Sequence, residues 1–233
     1  MQLAITTRQY FQLIQDTAAS VTRSHANWTS FLRTAARLYP YRFPDQLAIH
    51  AQRPDATACT SYDKWNEQYH RYVKRGSKGI ALLDDSQATP RLRYVFDVSD
   101  TDSPQQLSAP QPWTVQESQH ADLGQALEAS YFILVGYGLV PQLEALAVQA
   151  AMDYWSNFRY DILDIVDGSM LEEYDEAEVG ALFTQALSAS VAYTLTQRCG
   201  LSPERYYDAE DFRSVFSFDS PAAVTALGTA VSH

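Results

Sequence analysis

The chain has 233 residues, enough for one large domain or two small ones, and its hydrophobic share of 46% is ordinary for a protein with a packed core. A formal net charge of −11 argues at first against a nucleic-acid partner. However, residues 1–104 carry 13 Lys and Arg against 10 Asp and Glu, whereas residues 105–233 carry 4 against 18, so the chain consists of two regions of opposite charge.

The cysteines and the apolar segments limit the class of protein. Cys59 and Cys199 lie far apart and form no C-x-x-C pair, which excludes a disulfide framework and a zinc knuckle. The first twelve residues lack the apolar core of a secretory signal, and the longest apolar stretch, 131–140, is too short to span a bilayer. We therefore expect a soluble cytoplasmic protein with no membrane partner.

The first hundred residues predict helices followed by short strands. Helical spacing of apolar residues covers three segments: 6–22, 26–38 and 43–51. Pro40 ends the second of these helices and Pro54 ends the third. Strand-like segments and one helical turn follow, the strands at 56–62, 80–83 and 92–98 and the turn at 63–69. The pattern indicates helices packed on a small antiparallel sheet.

Beyond residue 104 the sequence is first proline-rich and then helical. Residues 105–120 are predicted to be a linker between domains 1–104 and 121–233. The helical segments beyond it are 121–136, 141–164, 178–198 and one that opens at Ser220-Pro221. Gly200 suits the left-handed position after a helix. The predicted fold class is α+β, with N-terminal helices on a small antiparallel sheet and a mainly helical C-terminal region.

The segment 64–79, KWNEQYHRYVKRGSKG, combines cations with aromatic residues. Five cations face a single acid, and three aromatic side chains alternate with them. Cations neutralise phosphates and aromatic faces stack on unpaired bases, while the G-x-x-G turn at 76–79 lets a nucleic-acid backbone approach the main chain. This pattern predicts single-stranded DNA binding. The alternative is an ordinary hairpin with solvated charges and with Trp65 and Tyr72 in the core.

A longer stretch around this segment resembles a known family. Residues 31–101 contain FLRTAARLYPYRFPDQLAIHAQRPDATACTSYDKWNEQYHRYVKRGSKGIALLD and then LRYVFDVSDT. This stretch resembles the N-terminal domain of ArdC-type antirestriction proteins and the start of LtrC-like proteins of conjugative transposons and plasmids. A Phe-Leu helix, a Tyr-rich turn, Gln-Arg-Pro-Asp-Ala-Thr, a Trp, Arg-Tyr-Val-Lys-Arg-Gly and Lys-Gly-Ile occur in the same order. Residues 188–232 resemble the segment that follows this domain in the transposon proteins.

The resemblance implies that the N-terminal domain binds single-stranded DNA. The positions that match the family are Gln52, Arg53, Trp65, Arg71, Lys74, Gly76, Lys78 and Gly79. The cation and aromatic content of the segment adds Lys64, Tyr69, Tyr72 and Arg75 to the predicted DNA-binding residues.

The chain also departs from the family. ArdC-type proteins join this domain to a metallopeptidase-like domain with an H-E-x-x-H motif, which none of the five histidines here forms. We therefore expect no metal, no cofactor and no catalytic residue. Residues 41–45, Tyr-Arg-Phe-Pro-Asp, replace the small Ser-Phe-Gly-Asn-type turn of the family. The last residues, 231–233, look like an unfinished helix, and the resembling transposon proteins continue into further domains.

Acidic residues cluster in the C-terminal region. Asp161, Asp164 and Asp167 recur at helical spacing, and five more carboxylates follow within 172–178. Three carboxylates on one helix face could hold a divalent ion, although the order of an EF-hand loop is missing. A solvated acidic face is the simpler interpretation. A third is that the surface imitates DNA phosphates or docks on a basic partner.

Three hypotheses for function follow. The first is a non-enzymatic single-stranded DNA-binding protein of a bacterial mobile genetic element, which protects transferred DNA and thereby acts in antirestriction. The second is an inhibitor that binds a host restriction or CRISPR nuclease through the acidic helical surface. Besides single-stranded DNA, a host nuclease and a conjugation protein are thus the candidate partners. The third, an enzyme with a degenerate peptidase domain, is the weakest because the metal ligands are missing.

Overall fold

The structure is a computed structural model that describes residues 5–84, 86, 89–103, 108–133, 138–166 and 168–233. Its N-terminal part begins with helices. These are α1 (Thr7–Val21), α2 (His25–Arg37) and α3 (Phe43–Gln52). Thr6 and Ser24 cap the first two helices, since each side-chain oxygen accepts a backbone N–H three residues later. Pro44 lies in the first turn of α3, where the missing N–H has no cost.

Short antiparallel strands follow these helices. One sheet contains β1 (Cys59–Ser61), β3 (Ile80–Asp84) and β4 (Arg91–Asp97) in the order β1-β4-β3, with Cys59 opposite Asp97 and Ile80 opposite Val95. A short helix, α4 (Tyr62–Glu67), follows β1. A second pair joins β2 (Tyr72–Val73) to β5 (Thr101–Asp102). The prediction of helices on a small antiparallel sheet is confirmed.

The C-terminal part is mainly helical, as predicted. It contains α5 (His120–Tyr131), α6 (Leu139–Ile165), α7 (Glu176–Arg198) and α8 (Pro221–Val231). The predicted helix 121–136 ends early because Phe132 adopts a left-handed conformation with φ of 57°. Residues 134–136 of that prediction lie outside the described residues. Among the described residues, no helix has the length and apolar content needed to cross a membrane.

The main hydrophobic core joins the two parts of the chain. Trp28 on α2 is fully buried, and its indole N–H donates to the Ser190 hydroxyl on α7 at 2.9 Å. The Phe43 ring of α3 lies so close to Gly228 on α8 that no larger side chain fits there without a shift. The change in charge near residue 104 is therefore not matched by a boundary in the core.

The described part of the predicted linker also packs on the helical region. Val115 is buried, and its N–H donates to the Arg198 carbonyl at the end of α7 at 2.9 Å. The His120 ring lies 2.7 Å from the Cys199 carbonyl. Residues 105–107 of the linker lie outside the described residues. Contacts at Val115 and His120 thus hold this part of the chain against the C-terminal end of α7.

A second, smaller core lies between the sheet and the N-terminal helices. It includes Tyr10, Leu38, Ile49, Ile80, Leu82 and Val95. Because successive side chains of a strand point to opposite faces, Tyr94 and Phe96 lie on the other face of β4 from the buried Val95. This second face of β4 belongs to the candidate site.

Candidate nucleic-acid interface

The basic turn at 74–79 is held against the turn at 98–100. The Lys74 carbonyl accepts from the Ser77 N–H at 3.1 Å, and Gly76 lies at φ of 88°, a conformation that side chains disfavour. The Lys74 N–H donates to the Asp100 carbonyl at 2.8 Å, and Lys74 Nζ donates to the Ser99 carbonyl at 3.1 Å. The turn therefore has a defined position rather than being a loose charged loop.

Asp97 anchors the turn at 98–100. Its carboxylate accepts from the backbone N–H groups of Thr57 at 2.7 Å and Ala58 at 3.1 Å, and from the Ser99 N–H at 3.0 Å and hydroxyl at 2.6 Å. Burial by itself would raise the pKa of Asp97, but these hydrogen bonds outweigh it and hold the pKa below its ordinary value. A buried carboxylate thus organises the support of the basic turn.

Two predicted DNA-binding residues lie in the interior instead. Trp65 is 1% exposed, and its indole N–H donates to the Phe96 carbonyl at 2.9 Å. Arg71 is also buried, and its Nε donates to the Thr101 hydroxyl at 2.7 Å. The prediction that these two residues contact DNA is therefore wrong for this conformation, because neither the Trp65 ring nor the Arg71 charge is accessible to a DNA strand. For Trp65 the structure favours the core role that was the alternative.

Gln52 and Arg53 also have structural contacts. The Gln52 side chain donates to the Ala81 carbonyl at 2.8 Å and accepts from the Ala81 N–H at 2.9 Å, so it pairs with β3 as a neighbouring strand would. The Arg53 guanidinium forms an ion pair with Asp100 and donates to the Ser99 hydroxyl at 2.8 Å. Both side chains therefore hold neighbouring parts of the fold in place, and Asp100 already balances the charge of Arg53.

The remaining predicted residues lie at the surface. The exposed ones are Lys64, Tyr69, Tyr72, Lys74, Arg75, Gly76 and Lys78. Gly79 is half-buried, and a Cβ atom there would lie 3.0 Å from the Tyr94 Cβ and 3.3 Å from the Phe96 ring. Glycine at this position therefore lets the basic turn pass directly over the aromatic residues of β4.

Two exposed tyrosines were missed by the sequence analysis. Tyr94 is 38% exposed and Tyr62 is 51% exposed, and the Tyr62 ring centroid lies 6.5 Å from that of Phe96. The Tyr69 ring centroid lies 5.1 Å from that of Trp65. The alternation of Tyr94 with the apolar Val95 was the signal that could have found the first of them. We call the following set the basic-aromatic surface: Tyr62, Lys64, Tyr69, Tyr72, Arg75, Lys78 and Tyr94.

Many acidic residues of the C-terminal part lie at the surface. In the part of the chain that the structure describes, no three His, Cys, Asp or Glu side chains are grouped so that they could hold a metal ion. Asp161 and Asp164 are exposed on α6, while Asp167 lies outside the described residues. Glu176 pairs with Arg159 at 3.4 Å. The geometry therefore favours a solvated acidic surface over a divalent-ion site.

Neither cysteine is placed for nucleophilic chemistry. Burial, followed by the neighbouring Asp97 carboxylate, raises the pKa of the Cys59 thiol. Burial also raises the pKa of the Cys199 thiol. Because the thiolate is the reactive form, both side chains remain protonated at neutral pH and act as small apolar groups.

No protein-family model matches the chain, and comparisons with curated proteins and with solved structures found no similar protein. The resemblance to ArdC-type and LtrC-like proteins therefore stays a prediction from the sequence. Function has to be inferred from the chain's own residues.

Proposed function

We propose that this is a non-enzymatic protein of a bacterial mobile genetic element that binds single-stranded DNA in the cytoplasm through the basic-aromatic surface. One observation carries the proposal. Exposed Tyr62 packs on Phe96 and exposed Tyr69 packs on Trp65, whose indole N–H donates to the Phe96 carbonyl. Exposed Tyr94 packs against Gly79 at the end of the basic turn. Aromatic faces next to cations are what non-specific single-strand binding uses.

The packing of these tyrosines supports a stacking role. Tyr94 packs under Gly79, Tyr69 packs on the buried Trp65, and Tyr62 packs edge-on against Phe96. A ring that is held on one side by the protein and open on the other loses little side-chain entropy when a base stacks on it. Unpaired bases offer such faces, whereas the bases of a duplex are already stacked. The surface therefore suits a single strand.

The charges beside the rings support a phosphate-binding role. Lys64 and Arg75 are exposed, and neither forms a salt bridge within the described ranges. Lys78 is exposed next to Gly79, which itself contacts Tyr94. Cations that release counterions from a DNA backbone give an affinity that falls with salt. Coating of a transferred strand, and hence protection against host nucleases, is the role that the resemblance to antirestriction proteins suggests.

The charge contribution is tested by fluorescence anisotropy with a labelled oligothymidine. The double variant Arg75→Ala with Lys78→Ala is expected to weaken binding about tenfold or more and to lower the salt slope by about 1.4, because single strands lose about 0.7 per phosphate contact. The matched control is Arg23→Ala with Arg205→Ala, which removes the same charge from exposed positions elsewhere. Equal losses in both variants, or no loss in the first, would contradict the site.

The stacking contribution is tested in the same assay with Tyr94→Ala. We expect a loss of about 1–3 kcal/mol in binding, because that is the usual value of one stacked base. Tyr160→Ala serves as the control, since Tyr160 is an exposed tyrosine on α6. The two variants need the same thermal stability as the wild type, so that a lost affinity reports stacking and not unfolding. Unchanged affinity of the stable Tyr94→Ala variant would exclude stacking at this ring.

A second candidate function is inhibition of a host nuclease through the helical part. The observation that favours it is the exposed surface of α6, which carries Val148, Met152 and Tyr160 as well as acids such as Asp153 and Asp161. Exposed apolar groups within an acidic surface fit a partner that is basic and partly apolar. A pull-down with a purified restriction or CRISPR nuclease in the absence of DNA separates this function from the first.

A further inference from the structure

A pocket of about 430 Å³ lies where the N-terminal helices meet the C-terminal ones. Its walls come from α2, α3, α6, α7 and α8, and they are mostly apolar, with Ala35, Ala151, Leu187, Val191 and Val231 among them. Pockets that hold small molecules in proteins usually measure about 300–1,000 Å³ and are lined by apolar side chains with few polar groups. The size and the lining of this pocket therefore suit a small ligand with an apolar body.

Some polar side chains of the pocket are already engaged within the protein. The Gln46 amide donates to the carbonyls of Tyr41 at 2.8 Å and Leu38 at 3.3 Å, and its oxygen accepts from the Ser232 hydroxyl at 2.8 Å. The Thr194 hydroxyl donates to the Ser190 carbonyl at 2.8 Å. These groups have satisfied hydrogen bonds and give a ligand little to bind.

Arg198, which also lines the pocket, is different. Its guanidinium carbon lies 3.9 Å from the centroid of the Tyr39 ring and 5.6 Å from that of Trp113. Its Nε is buried and has no hydrogen-bond acceptor among the described residues. Within the same residues no carboxylate pairs with Arg198, whereas other arginines do have carboxylate partners, namely Arg33, Arg53, Arg93, Arg159 and Arg213.

These observations fit the recognition of an anion. Aromatic faces hold a guanidinium in place without using its N–H donors, so the donors remain for a ligand. A planar guanidinium that is fixed in advance binds a carboxylate or a phosphate through paired hydrogen bonds. A ligand with an apolar body and an anionic head satisfies both parts of the pocket.

We propose that this pocket binds a small amphipathic anion, with its carboxylate or phosphate head on Arg198 and its apolar body against Leu187 and Val191. Both head groups share the charge and the oxygen acceptors that Arg198 requires. The proposal does not depend on DNA binding, because the pocket lies among the helices and shares no residue with the basic-aromatic surface. The bound ligand would contact helices from both parts of the chain.

The test uses three probes with the same apolar chain: decanoate, decyl phosphate and the uncharged decanol. Binding to the full chain is followed by the saturable rise of the melting temperature with probe concentration. At least one anion is expected to bind tenfold or more tightly than decanol, and the stronger anion identifies the head group. Equal binding of all three probes, or no saturable binding by any of them, would overturn the proposal.

Two variants assign the binding to this pocket. Arg198→Gln is expected to reduce the affinity for the anion at least tenfold and to leave decanol unchanged, whereas the control Arg205→Gln, at an exposed arginine, should bind all three as the wild type does. Ala150→Phe fills the pocket from an exposed position of α6, so it keeps the proposal testable if Arg198→Gln does not fold. It should abolish binding of every probe. Anion binding that survives in Ala150→Phe would contradict the site.

Discussion

The N-terminal and C-terminal parts of the chain differ in the sign of their charge but share one hydrophobic core. Residues 1–104 have an excess of cations and residues 105–233 a large excess of acids, yet Trp28 on α2 packs into α7. Charged side chains lie at the surface, so their sign can change along the chain without interrupting the interior. A change of charge along the chain therefore does not by itself mark the end of a folding unit.

The two parts also use their charged residues differently. In the N-terminal part several arginines hold the fold together: Arg37 donates to the carbonyls of Pro54 and Ala56, and Arg71 donates to Thr101. In the C-terminal part most acids are exposed, and few cations are present to pair with them. The number of cations in residues 1–104 that remain open to a partner is therefore smaller than their count of Lys and Arg suggests.

The largest expected effect comes from breaking the shared core. Trp28→Ala removes a fully buried ring and its bond to Ser190, so we expect a loss of about 3–5 kcal/mol in the free energy of unfolding. The control Trp113→Ala, at a ring that is 58% exposed, should cost less than about 1 kcal/mol. Urea unfolding followed by circular dichroism and by tryptophan fluorescence measures both values. Two separate transitions in the wild type would show that the parts fold independently.

A smaller effect concerns pH and the N-terminal part alone. Burial, followed by the charges of Arg37 and Arg33, lowers the pKa of His50 to about 4. An unfolded histidine has a pKa of about 6.5, so the unfolded state takes up the proton first and stability falls as the pH decreases from about 6.5 toward 4. In His50→Gln this decrease in stability should be smaller. Urea unfolding at pH 6.5 and at pH 5 measures the free energy of unfolding of both proteins.

Thr34→Ala is the matched control for this pH effect. It removes the hydroxyl that lies 2.9 Å from His50 Nδ1 and keeps the imidazole. The variant should lose about 1 kcal/mol at every pH and keep the decrease on acidification, because the histidine still has to be buried uncharged. If the decrease is as large in His50→Gln as in the wild type, the titration belongs to other groups.

Local signals in the sequence were enough to predict most elements of the fold. The Ser220-Pro221 start of α8 and the Gly200 end of α7 match the structure, with Gly200 at φ of 72°. These signals depend on a few neighbouring residues, whose backbone preferences act whatever the rest of the chain does. The strand predicted at 56–62 is shorter, Cys59–Ser61, because Ser61 caps the helix that follows.

The roles of individual site residues depended on tertiary packing and could not be predicted. Arg71 and Arg75 look alike in the sequence, but Arg71 is buried and donates to Thr101 of β5, whereas Arg75 is exposed in the basic turn. Trp65 belongs to the core because it lies on the buried face of the short helix α4, and the sequence does not indicate which face that is. The Gln52 side chain can exchange hydrogen bonds with the backbone of β3 only because α3 packs beside that strand. Contacts between residues distant in the chain decided each case.

The most direct test of single-strand binding compares the affinity of the full chain for a labelled oligothymidine with its affinity for the corresponding duplex over a range of salt concentrations. The proposed surface predicts tighter binding of the single strand at every salt concentration. The affinity should fall as salt rises, because cations contribute, and a part should persist at high salt, because the stacking of bases on tyrosines does not depend on counterions. No binding of the single strand, or equal affinity for the duplex throughout, would contradict the central claim.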